Sequence, residues 1–90
     1  MLIQPVQPVY IIIKIGEDEY TGQLISLSEE NLEFKCNAYI EKDIEVCFLA
    51  KHFRGQAIIQ EIKFDQSFFT YLLTIQDIQF QPGLLINTRL

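Results

Sequence analysis

Apolar side chains recur at every second position along most of this chain, and no long amphipathic helix falls between the alternating runs. The stretch from Val9 to Ile15, VYIIIKI, is β-branched and aromatic. The glycine and acidic cluster GEDE after it suits a turn, so a first strand and hairpin are expected there. A second strand follows from about Tyr20 to Leu27, with Leu24 and Ser26 on one face and Ile25 and Leu27 on the other. Leu32, Phe34 and Cys36 then alternate with Glu33 and Lys35, and Ile44, Val46 and Phe48 point inward against Glu45 and Cys47. Gly55 opens the β-rich run QAIIQEIKF. A polar turn over Asp65, Gln66 and Ser67 joins it to Phe69, Tyr71, Leu73 and Ile75, which alternate with Thr70, Thr74 and Gln76; this is the strongest hairpin signal in the chain.

The ends read differently. Residues 1–8, MLIQPVQP, hold two of the three prolines and no charged side chain, as suits an extended arm that cannot join a central strand. Pro82 and Gly83 punctuate the other end, leaving 81–90 as a tail or a helical turn. Strands about 8 to 12 residues apart predict an antiparallel sandwich or barrel, and closure removes the exposed edges of so apolar a sheet. The fold expected is therefore all-β, a small six-stranded antiparallel barrel over 9–80, within a single domain of 90 residues.

Composition narrows the function. With 49% hydrophobic residues the chain is outside the disordered range, and its longest apolar run, Val9 to Ile13, is far short of the roughly 20 residues that span a bilayer. The N-terminus lacks the pattern of a signal peptide, so a cytoplasmic location without membrane insertion is expected. A formal charge of −5, with the 7 basic residues scattered, argues against nucleic acid as a partner. Cys36 and Cys47 are too few for a disulfide framework and read as small buried or half-buried apolar residues.

The succession GQLISLSEENLEF, DIEVCFLA, FRGQAIIQEIKF and FFTYLLTIQDIQF, ending in the apolar and aromatic pair Ile78 and Phe80, resembles the PilZ domain of bacteria, from about Tyr20 to Phe80. The resemblance implies a six-stranded barrel and a corner of the form D/N-x-S-x-x-G used for cyclic di-GMP. Here Ser26 stands at the Asp/Asn position, Ser28 matches the serine, and Asn31, which can adopt the left-handed conformation, replaces the glycine. The R-x-x-x-R segment of ligand-binding members has no counterpart, since the first arginine is Arg54. Planar guanidinium forks that bind phosphate and stack on bases are what such a dinucleotide requires. The barrel is thus implied and the usual ligand is not.

Two functions from different classes follow. The first is a non-enzymatic PilZ-like interaction or adaptor module in bacterial signalling, motility or type IV pilus regulation, with a protein, or a second copy of the chain, as its partner and no cofactor. The second is a cyclic di-GMP receptor of non-standard design using Ser26, Ser28, Asn31 and Arg54. An SH3-like or OB-like barrel is a third reading of the same strands. The lone His52 has no companion at metal-ligand spacing and reads as a surface residue, and although spacing alone allows it to pair with Ser26 or Ser28, these hydroxyls are expected to bond backbone groups at a turn. Three acidic clusters (Glu17, Asp18 and Glu19; Glu29, Glu30 and Glu33; Glu41, Asp43 and Glu45) offer an acidic face for a basic partner. The aromatics Phe48, Phe53, Phe64, Phe68, Phe69, Tyr71 and Phe80 exceed the needs of a narrow core, so one of the adjacent Phe68 and Phe69 is a candidate for exposure.

Overall fold

The computed structural model describes residues 2–80, and within them each alternating run is a strand. These are β1 (Leu2–Ile3), β2 (Tyr10–Ile15), β3 (Asp18–Ser28), β4 (Asn31–Cys36), β5 (Glu45–Leu49), β6 (Phe53–Asp65) and β7 (Phe68–Phe80). Going round the molecule the order is β3, β2, β5, β6, β7, β4 and back to β3, every pairing antiparallel, so six strands close a barrel and β1 is an addition. The tail or helical turn expected over 81–90 lies outside the described residues.

The arm is not a free extension. Leu2 and Ile3 pair with Ser28 and Leu27 on the edge of β3 that β2 occupies further along, so β1 and β2 are two pieces of one line. Pro5 and Pro8 fall in the gap, where two missing N–H groups prevent a continuous ladder. At its end the Val9 carbonyl accepts the Leu24 N–H at 2.7 Å, which brings the chain back into register.

A bulge overturns one expected pair of faces. The ladder between β3 and β4 shifts between Leu24 and Ser26, so two residues of β3 oppose one of β4 and the inward phase moves by one. Leu24 and Leu27 consequently both face the core, at 3% and 0% exposure, and Ser26 lies outside opposite Glu33. Two further shifts, at Gln60 in β6 and Gln76 in β7, let Ile75, Ile78 and Phe80 all pack against the core despite their uneven spacing.

Ile11, Ile13, Phe34, Ile59, Tyr71 and Leu73 fill the interior, each at 0% exposure. Phe34 stacks on Tyr71 with ring centroids 5.0 Å apart, the offset contact that aromatic quadrupoles favour. Cys36 is buried as expected, but Cys47 is exposed because it is on the outward phase of β5. The tight turns carry the backbone's left-handed residues. Gly16, at φ 60, needs no special accommodation, whereas Gln66, at φ 56 in the turn between β6 and β7, costs on the order of 1 kcal/mol relative to glycine. Asn31 does not use the left-handed conformation; among the described residues Asp43 and Gln66 are the non-glycines that do.

The hairpin of β6 and β7 is longer than the staves beside it. β5 pairs β6 only between Arg54 and Ile58, and β4 pairs β7 only between Phe69 and Thr74. Each strand of the hairpin therefore overhangs its neighbour at one end of the barrel. We call the end with the loop between β4 and β5 the loop end, and the opposite one, with the N-terminal residues, the arm end.

Candidate functional site

The loop end is closed by residues 37–44, which run from Cys36 across the barrel mouth to β5. Ile40 plugs the mouth at 3% exposure, and a buried backbone N–H so placed requires a partner. Tyr71 provides it: its hydroxyl accepts the Ile40 N–H at 2.7 Å and donates to the Ala38 carbonyl at 2.6 Å. Burial pushes the Tyr71 phenol up to about 12, against the opposing influence of the Ile40 hydrogen bond. Further along, the Asp43 N–H donates to the Ile59 carbonyl at 2.8 Å, which ties the loop to β6. The Cys36 thiol donates to Ala38 at 3.4 Å, and burial raises its pKa.

Above this plug the inner face of β6 has no stave opposite it. Ile62 pairs with Tyr71 and Phe64 with Phe69, so all four side chains share the inward face. Phe64, on the overhanging edge, is 65% exposed, and Tyr39, at the start of the loop, is 61% exposed. Both pack on the half-buried Phe69, at centroid distances of 4.9 Å and 5.6 Å, and Phe69 in turn stands 6.2 Å from Tyr71. A run of aromatic rings thus leads from the core to the surface. Phe68, on the outer face, is half-buried and carries the Lys35 ammonium 4.8 Å from its ring centre. The exposed phenylalanine is therefore Phe64 and neither member of the adjacent pair.

Two of the three acidic clusters lie at this same end. Lys14 opposite Cys47 sets the turn of β2 and β3, with Glu17, Asp18 and Glu19, at the same end as the start of β5, which follows Glu41 and Asp43 and opens on Glu45. These two turns carry six carboxylates and Lys42, Lys14 of β2 is 3.6 Å from Glu19, and Lys35 of β4 and Lys63 of β6 lie at the same end. Among the described residues no three His, Cys, Asp or Glu side chains are grouped to hold a metal ion.

Ser26, Ser28 and Asn31 are close together at the arm end, and their polar groups are used internally. The Ser26 hydroxyl donates to Glu33 Oε1 at 3.0 Å, the Asn31 N–H donates to Ser28 Oγ at 3.1 Å, and Asn31 Nδ2 donates to the Leu73 carbonyl at 3.3 Å. Arg54 is not brought to them. Asn31 pairs with Thr74 and Arg54 with Gln79, so five positions of β7, roughly 16 Å of strand, separate the two levels. His52, half-buried in the loop between β5 and β6, has a buried Nδ1 without a hydrogen-bond partner.

The pairing of Phe64 with Tyr39 is not visible in the sequence. Its one signal is the phase of QEIKF, which a shift at Gln60 turns so that Phe64 follows Ile62 on the inward face. No protein-family model matches the chain, and no curated protein matches it.

Proposed function

We propose that the chain is a non-enzymatic, cytoplasmic, PilZ-like interaction module that receives a basic, apolar-faced segment of a partner protein at the loop end of its barrel. The observation that carries this reading is the exposed pair Phe64 and Tyr39, packed on Phe69 at the end of the barrel that also carries two acidic turns. Aromatic side chains already fixed by packing lose little entropy on binding, which is why such residues dominate contact energetics. The carboxylates of these turns would speed encounter with a cationic partner and select against acidic ones. The succession of strands, in its resemblance to PilZ domains, supports a setting in bacterial signalling, motility or type IV pilus regulation. Binding of cyclic di-GMP by Ser26, Ser28, Asn31 and Arg54 is the weaker reading, because the cation stands away from the corner and the corner's donors are spent on the fold.

Selection from a random peptide library on the immobilised chain tests the proposal. Enriched peptides are expected to combine Lys or Arg with aromatic or aliphatic residues. Phe64→Ser should weaken them about tenfold or more, as loss of a central anchor does, and affinity should fall as salt rises. Enrichment of acidic peptides, or binding indifferent to Phe64→Ser, would overturn it.

A further inference from the structure

We propose that the arm end binds a flat aromatic anion of small-molecule size, seated against Phe53 and Phe80, with Lys51 and Arg54 supplying the positive charge and His52 a further polar contact. This is independent of the interaction surface at the loop end.

The shape comes from the overhang of β7. Past Thr74 that strand has no β4 partner, and its last residues, Gln79 and Phe80, border with residues 49–54 a cavity of about 540 Å³ that has Leu49, Phe53 and Phe80 in its walls. That volume is within the range of small-molecule sites. Phe53 and Phe80 stand 6.0 Å apart by ring centroid, and Phe53 is equally far from Phe48, so the aromatic wall is fixed by the core.

The charge comes from four consecutive residues. Lys51 and Arg54 line this cavity together with His52, and among the described residues no carboxylate does. In a chain of formal charge −5 that local reversal is unexpected. Among the described residues neither Lys51 nor Arg54 forms an ion pair or a side-chain hydrogen bond, although Arg54 also borders a groove that contains Asp77. A planar guanidinium and an ammonium so placed suit a carboxylate or phosphate oxygen.

His52 adds the second observation. Its buried, unpaired Nδ1 is a polar requirement that the chain alone does not meet, and such groups in native folds call for an explanation. Lys51 and His52 also line an adjoining cavity of about 410 Å³ against Val6 and Pro8 of the arm and Tyr10 of β2, so both stand between two apolar lobes. A ligand that is only charged, or only apolar, would leave half of these groups unused.

A ¹H–¹⁵N titration of the full chain with indole-3-acetate, indole-3-acetamide and inorganic phosphate tests the proposal. Indole-3-acetate should shift the amides of Lys51 to Arg54, Gln79 and Phe80 saturably. The neutral acetamide and phosphate should each bind at least about fivefold more weakly, the arithmetic of about 1 kcal/mol for the missing half. The exposed pair Lys51→Gln and Arg54→Gln together should weaken indole-3-acetate by a similar factor with the remaining spectrum unchanged, and Phe64→Ser should leave it intact. Equal binding of the acetamide would reduce the site to an apolar hollow, and equal binding of phosphate to a charge patch. Either result, or shifts confined to the loop end, overturns the proposal.

Discussion

Gly55→Ala is expected to destabilise the domain by about 3 kcal/mol or more, the upper end of what overpacking costs in a well-filled core. Gly55 is on β6 opposite Ile78 and one residue from the shift at Gln56, where β7 bends inward. A Cβ there would collide with the Asp77 carbonyl oxygen, stand 2.7 Å from Phe48 Cζ and 2.9 Å from Ile78 Cα. Two of these three atoms are backbone and cannot turn aside as the end of a side chain can. Relief therefore requires β7 to separate from β6, which would also disturb Ile78 and Phe80 on the core. Since a domain of this size has only about 5 to 15 kcal/mol in all, the loss is a large share of its stability. Urea denaturation measures it, with Gln56→Ala, an outward neighbour expected to stay within about 0.5 kcal/mol, as the reference. A Gly55→Ala midpoint equal to that reference would mean that β7 is not held where it is described.

Tyr71→Phe should cost about 2 to 3 kcal/mol although it removes a single oxygen. The ring, its stack on Phe34 and the packing volume are all kept, so the loss is confined to the hydroxyl. Without it the buried Ile40 N–H and the half-buried Ala38 carbonyl lose their partner together. The loop over 37–43 should then open more readily than the barrel unfolds, seen as faster exchange of the Ile40 amide with β6 and β7 protection less affected. Titration gives the same group a second signature. The folded phenol stays protonated up to about 12 whereas the unfolded one loses its proton near 10, so between these values the native state binds more protons and stability falls as pH rises. Below pH 10 the contribution is fully present. In Tyr71→Phe this part of the alkaline loss should disappear, and an unchanged alkaline profile would show that the hydroxyl is not held as described.

Much of this was legible in the sequence where one face of a strand meets the core. The period of two in Leu32, Phe34 and Cys36, and in Val46 and Phe48, places all five inward, because a half-buried strand leaves no other choice. Leu24 and Ile25 defeat the same reasoning: a bulge adds one residue without any local composition to announce it, and the period restarts on the other face. Strand length is likewise hidden. Nothing in IIQEIKF says that β5 stops opposite Ile58 while β6 continues to Asp65, yet that mismatch is what leaves Phe64 in solvent. The cavity at the arm end shows the same limit, for Lys51, His52 and Arg54 are plain in the chain, but only the register of β6 on β7 brings them to Gln79 and Phe80.

The connectivity of the barrel has a kinetic consequence. Strands β2, β3 and β4 form one meander of neighbours in sequence, and β5, β6 and β7 form another. The two seams that unite them join residues far apart, such as Ile13 with Phe48 and Leu32 with Leu73. Each meander can zip locally, but neither buries an apolar face alone, and the entropy of bringing the halves together is recovered only when both seams shut. Barrel closure is thus the slow event. The loop over 37–44, the only covalent link between the halves, is then trapped across the mouth it has just helped to form, so the plug and the hinge of folding are one segment.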